Sequence, residues 1–271
     1  MNQKQGQKQR AGIIAVAGKG GTGKTVIASL LLKFLTAGEG AGKVLAIDAD
    51  PASCLPSVLG LKINKTIGDL REEIASPSQV FFSEEMPTDL LVEYKIEEVL
   101  AKTPRFSVLV MGRSEGPGCY CLVNDILRHF IDKLSSRFDT ILIDCEAGLE
   151  HLSRRTTRDV DTMLVVSDPT KRGLETASSI KRLAKQLQIN FQQIFLVLNK
   201  VTEEVRGDEA VWNSLLGQVK ESGLTLVGTV PEDEQVRAYD LVGKPTIELP
   251  EDSKAVVAVR RVFERVSKGN F

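Results

Sequence analysis

Short apolar runs alternate with helical patterns along almost the whole chain. Residues 13–17 are wholly apolar and bounded by Gly12 and Gly18, which predicts a brief buried strand. From 26 to 37 the apolar residues recur at helical spacing, and Gly38 and Gly40 predict the end of that helix. Further strands are predicted at 43–47 and 107–111. Leu122, Val123, Ile126, Leu127, Phe130, Ile131 and Leu134 then repeat at the spacing of an amphipathic helix. Beyond it come strands at 140–143, 163–166, 194–198 and 224–230. Helices near 171–188 and 208–222 fall between them, and a last helix covers 254–266. Strands rich in Val, Ile and Leu, separated by helices, predict an α/β fold: a mostly parallel sheet with helices on both faces. Residues 61–106 are longer than a simple crossover needs. They predict helices over 66–74 and 89–100 and a loop over 76–87, an insertion within one domain spanning 11–271.

Charge and composition narrow the function. With 35 Lys+Arg against 36 Asp+Glu the net charge is −1, which argues against broad nucleic-acid affinity. The chain contains no run of 18 apolar residues, so a spanning helix is not expected. Residues 1–10 are rich in Gln and Lys and lack an apolar core, so they read as a disordered lead-in rather than a signal peptide. A cytoplasmic location is expected, and with it reduced thiols at Cys54, Cys119, Cys121 and Cys145.

The segment Gly18-Lys19-Gly20-Gly21-Thr22-Gly23-Lys24-Thr25 follows the first predicted strand and opens the first helix. It fits the P-loop pattern, in which glycines let backbone N–H groups close around phosphate oxygens and the helix N-terminus adds positive potential. Gly20, Gly21, Thr22, Gly23, Lys24 and Thr25 are the expected phosphate contacts. Lys24 is expected to reach the β- and γ-phosphates and the Thr25 hydroxyl to bind Mg²⁺.

Lys19 is not required by an ordinary P-loop. With it, the motif resembles the deviant Walker A family: the nitrogenase iron protein, cell-division and plasmid-partition ATPases, and arsenical pumps. That resemblance implies a P-loop NTPase fold of the SIMIBI type. It also implies an ATP-promoted homodimer in which Lys19 crosses the interface to the partner's nucleotide, adding positive charge where phosphoryl transfer builds negative charge. Asp48-Ala49-Asp50-Pro51 looks like the family's first switch, and Asp144-Cys145-Glu146-Ala147-Gly148 like its second. Both follow strand ends, which face the ligand crevice in a parallel sheet. Asp48 is expected to position the attacking water and Asp144 to hold the water shell of Mg²⁺, with Asp50 able to take either role. Lys19, Lys24 and Asp48 thus form the expected catalytic set, and Thr25, Asp50 and Asp144 the magnesium set. Gly148 offers a γ-phosphate-sensing hinge. Asn199 and the run Pro231-Glu232-Asp233 resemble the family's base-binding elements. The run Asn199-Lys200-Val201-Thr202 lacks the carboxylate of a guanine-selecting Asn-Lys-x-Asp, which favours ATP over GTP.

Cys119 and Cys121 supply half of a tetrahedral thiolate site, which a twofold dimer would complete with Zn²⁺ or Ni²⁺. Partly buried thiols at a helix start are the plainer reading of the pair alone. The run Met111-Gly112-Arg113-Ser114-Glu115-Gly116-Pro117-Gly118-Cys119-Tyr120-Cys121 changes that weight. Together with Asp144 through Leu152, Glu93-Tyr94-Lys95-Ile96 and Asp168-Pro169-Thr170, it is similar to the CooC family. Those are maturation ATPases for nickel-containing carbon monoxide dehydrogenase, with a relative serving acetyl-CoA synthase. The similarity runs over about residues 11–266. It implies a metal at the shared cysteines and nickel delivery to a client enzyme coupled to ATP hydrolysis. Cys145 departs from the Met expected there and reads as a core thiol, with an added metal or redox group as the other option. Cys54 reads as structural and His129 as a surface residue, while His151 divides between switch packing and nickel contact. Two competing functions are an iron–sulfur electron donor like the nitrogenase iron protein and a positioning ATPase of the cell-division or partition kind. The close C-x-C pair opposes the first, whose cysteines come from separate segments. For the second, the valine-rich helix over 254–266 has no Trp anchor and reads as packed on the sheet, so no stable membrane association is expected.

Overall fold

The computed structural model describes residues 11–38, 41–75, 88–112, 134, 137–145, 159–186 and 190–267. The sequence expectations at 1–10, the loop at 76–87, most of the helix at 122–134, Cys119, Cys121, His129, Gly148 and His151 lie outside the described residues.

The chain opens with β1 (Gly12–Gly18), whose residues alternate between faces. Ile13, Ala15 and Ala17 enter one core and Ile14 and Val16 the other, because successive side chains of a strand point opposite ways. Helix α1 (Lys24–Leu35) follows, then β2 (Val44–Asp48), α2 (Leu55–Val58), α3 (Ile67–Ala75), α4 (Thr88–Val99), β3 (Leu100–Lys102) and β4 (Phe106–Val110). The later described elements are β5 (Thr140–Asp144), β6 (Asp159–Ser167), α5 (Lys171–Gln186), β7 (Asn190–Val201), α6 (Glu203–Gly207), α7 (Glu209–Ser222), β8 (Thr225–Pro231), α8 (Glu234–Leu241) and α9 (Lys254–Ser267).

Among the described residues the strands form one eight-stranded sheet in the order β3-β4-β2-β5-β1-β6-β7-β8. Its pairs are parallel except β3 with β4. Helices α1 and α9 cover one face with Ile27, Leu30, Leu31, Val256, Val259 and Val262. Helices α3, α4, α5 and α7 cover the other with Leu70, Ile96, Leu174, Ile180 and Leu215. The α/β architecture and two-sided cover predicted from the pattern are both present. β1 lies inside the sheet, with β5, β2 and β4 on one side and β6, β7 and β8 on the other. A ligand crevice therefore forms beyond its carboxyl end.

The structure corrects several boundaries. The helix predicted to reach residue 100 stops at Val99, and Leu100 instead opens an antiparallel edge strand of three residues, too short to show alternation. Helices α2, α6 and α8 were not anticipated. α6 and α8 bury no residue fully and touch the core only through Val205 and through Val236 and Tyr239, too few apolar positions for a period to be read. Helix α9 does lay its valine stripe on the sheet, and Gly228 lets it come close: a Cβ there would sit 2.6 Å from Val262 Cγ2. At the edge of the sheet, Arg265 of α9 donates to the Val227 carbonyl of β8 at 2.6 Å.

Candidate active site

The loop after β1 is shaped by close approach. A Cβ on Gly18 would lie 2.1 Å from the Val166 carbonyl oxygen of neighbouring β6, so only glycine fits. Thr22 closes the loop on itself, its N–H and hydroxyl both donating to the Lys19 carbonyl, at 3.3 and 2.8 Å. Gly23 caps α1 in the left-handed region with φ 86°, and no side chain caps the helix. The first turn of α1 carries no acidic residue, so its N–H donors and positive potential remain free for an anion. Lys24 is buried at this mouth, whereas Lys19 is exposed.

Two carboxylates meet the loop from the neighbouring strands. β5 lies between β1 and β2, and the sheet register sets Asp144 beside both Val16 and Asp48. Asp48 and Asp144 are 0% and 1% exposed, respectively. Asp48 is satisfied internally: Oδ1 accepts from the Asp50 N–H at 3.1 Å and Oδ2 from the Leu55 N–H at 2.9 Å. Burial pushes its carboxyl up to about 6, with the Leu55 and Asp50 N–H groups pulling it down and the Asp50 charge adding to the rise. Asp144 accepts from the Thr25 hydroxyl, but its Oδ1 has no partner among the described residues. Burial pushes Asp144 up to about 7; Thr25 and Lys24 pull against that, and the charges of Asp48 and Asp50 add to it. An orphaned buried carboxylate oxygen beside a P-loop hydroxyl is the donor set that a hard, oxygen-binding cation such as Mg²⁺ suits. Asp50 is only partly buried and caps the turn after β2, accepting from the Ala52 N–H at 2.9 Å.

On the other side of the loop, Asn199 at the end of β7 donates from Nδ2 to the Thr22 carbonyl at 2.8 Å. Lys200 next to it adopts φ 58° and donates from Nζ to the Gly21 carbonyl at 2.9 Å. A cavity of about 430 Å³ opens here, lined by Gly23, Thr25, Asn199, Pro231, Asp233 and Val236 among others. The structure therefore brings together Gly21, Gly23, Lys24, Thr25, Asp144, Asn199, Pro231 and Asp233 around one mouth. The Asp233 carboxylate is turned into the fold: it accepts from Gln235, Ser253 and Ala255.

Two thiols can be placed. Cys145 is buried in the core, and burial followed by the Asp144 charge pushes its thiol up, so it packs as a small apolar residue. Cys54 is exposed just before α2, its thiol 3.8 Å from the Ala52 carbonyl, so the structural role expected for it is not a packing role. Sequence reasoning missed the tether from Lys200 to Gly21. It also missed Ser253, although a Ser before a helical run is a readable cap signal. What no local pattern shows is that the cap also holds a carboxylate 20 residues upstream.

The profile of the CobQ/CobB/MinD/ParA nucleotide-binding domain matches residues 13–247. An uncharacterized ATP-binding protein of Methanocaldococcus jannaschii is 44% identical over 263 residues, covering 96% of this chain and all of that one. The carbon monoxide dehydrogenase accessory protein CooC of Rhodospirillum rubrum is 31% identical, covering 93% of this chain and 97% of that one. Among solved structures, the cell-division ATPase MinD of Pyrococcus furiosus superposes with a TM-score of 0.65 at 25% identity. It covers 95% of this chain and 99% of that one.

Proposed function

The chain belongs to the CobQ/CobB/MinD/ParA family of P-loop ATPases, and from that premise we propose an ATP-dimerised switch that assists nickel insertion into carbon monoxide dehydrogenase or acetyl-CoA synthase. The observation that carries the switch is the buried pair Asp48 and Asp144, side by side at the carboxyl ends of β2 and β5 against Lys24 and Thr25. Mg²⁺, when bound, would supply charge neutralisation of the β- and γ-phosphate oxygens. Thr25 and Asp144 would hold it, directly or through water, with Asp50 contributing from the switch turn. The N–H groups from Gly20 to Thr25 and the Lys24 ammonium grip the phosphates. Asp48 orients the attacking water, and because its two oxygens also fix the switch turn and α2, a shift at the γ-phosphate is passed to both. Lys19, exposed at the loop tip, reaches the nucleotide of a second copy. Asn199 and the backbone at Pro231 and Asp233 receive the adenine.

The nickel cargo is supported by the similarity to the Rhodospirillum rubrum accessory protein across nearly the whole chain, together with the Cys119/Cys121 pair. Two such pairs from one dimer would make a four-thiolate site for Ni²⁺ or Zn²⁺. The test is an anaerobic titration of metal-free protein with Ni²⁺ and Zn²⁺, with and without ATP, alongside Cys119→Ala/Cys121→Ala. About one metal per dimer, lost in the variant, is the expected outcome. Metal content indifferent to both cysteines would leave an ATPase with another cargo.

A further inference from the structure

The wall of the cavity beside the P-loop is built from segments that are separate in sequence: the residues at 231–233, the start of α8 and the start of α9, which brings Ala255. One carboxylate joins all three. Asp233 Oδ1 accepts from the Gln235 N–H at 2.9 Å and so caps α8. Asp233 Oδ2 accepts from the Ala255 N–H at 2.9 Å and from the Ser253 hydroxyl at 2.7 Å. Ser253 also accepts from the Val256 N–H at 3.3 Å, and its carbonyl takes the first bond of α9 from Val257. Asp233 and Ser253 are 9% and 1% exposed, and the bonds to Ser253 and Ala255 are buried. Burial would raise the Asp233 carboxyl, but the Ser253 hydroxyl, then the Ala255 and Gln235 N–H groups, hold it below its ordinary value. Neither side chain is needed to reach a bound molecule.

We propose that Ser253 is a positioning residue for the nucleotide base: its hydroxyl fixes the Asp233 carboxylate, which locks the 231–233 wall against α8 and α9 and so preforms the base side of the pocket. This rests on reading that pocket as the base site. The geometry separates two halves of nucleotide binding. The phosphates are held by the P-loop and the start of α1, and the hydrogen bonds of the Ser253 hydroxyl and carbonyl go instead to Asp233, Val256 and Val257. The base is held by a wall whose shape depends on a hydrogen bond to a charged group, the strong kind. Loosening it should cost base recognition and leave phosphate recognition intact.

The experiment compares MgADP with magnesium tripolyphosphate, which keeps the phosphates and lacks the base and ribose. Affinities are measured by calorimetry for wild type, Lys24→Ala, Ser253→Ala, Ser253→Thr and Asp233→Asn. Ser253→Ala is expected to weaken MgADP about tenfold and tripolyphosphate less than about twofold. Ser253→Thr, which retains the hydroxyl, restores MgADP binding. Asp233→Asn acts in the same direction, and its loss is not additive with that of Ser253→Ala, because the two residues form one contact; it also supplies the comparison should Ser253→Ala not fold. In turnover, Ser253→Ala raises the KM for ATP while kcat stays near wild type. Unchanged MgADP affinity would overturn the proposal. So would an equal loss of tripolyphosphate, which would mean that the phosphate site or the fold had been disturbed. Wild-type binding of both ligands that does not depend on Lys24 would instead sink the nucleotide reading on which the proposal stands.

Discussion

Asp144 is the residue at which folding and function pull in opposite directions. Its carboxyl is pushed from an ordinary value of 3.8 to about 7 because burial, and then the charges of Asp48 and Asp50, disfavour its charged form more than Thr25 and Lys24 favour it. A folded-state value above the unfolded one means that the folded chain binds the proton more tightly. The resulting stabilisation is complete below 3.8 and is lost as pH rises towards 7. Nucleotide-free Asp144→Asn should therefore be more stable than wild type at pH 8, by about 2–4 kcal/mol, with the gap closing near pH 4. Urea unfolding at the two pH values measures this, and a variant less stable at both would remove the argument. The same variant should lose ATPase activity by at least about 100-fold. Asp48 carries a smaller rise of the same sign, to about 6. At this scale the P-loop residues were legible, because the chemistry of phosphate binding is local and has a fixed spacing. The inward turn of Asp233 was not, because its partners Ser253 and Ala255 lie on another element.

Among the elements, the packing of α9 on β8 is set by one missing side chain. A Cβ at Gly228 would come within 2.6 Å of Val262, a residue only 1% exposed. Gly228→Ala should cost about 1–3 kcal/mol by overpacking, and pairing it with Val262→Ala should recover part of that loss. Chemical denaturation of both variants reads the effect; additive losses would mean the contact is not the cause. Strands such as β1, β5 and β7 were readable because apolar runs buried on both faces leave a plain hydrophobic signal. The β3 edge, α6 and α8 were not. Three residues carry no period, and α6 and α8, capped by Thr202 and Asp233, have only one and two apolar residues on the core, too few to show one.

For the whole molecule, the exposed Lys19 is the residue through which the proposed dimer would join two copies in hydrolysis. If each chain completes the other's site, specific activity should rise with protein concentration over the range in which ATP drives pairing. Lys19→Ala should lower turnover by about 100-fold or more while still binding nucleotide. Activity of Lys19→Ala equal to wild type, with wild-type activity flat across concentration, would assign hydrolysis to single chains. The far edge of the sheet bears on the form such a pair can take. β8 is the last strand, and its Val227 carbonyl already holds the Arg265 guanidinium. A stray strand seeking that carbonyl would have to displace the guanidinium. Growth by edge-to-edge stacking is opposed at this rim, so crowded chains are steered away from ribbons and fibrils.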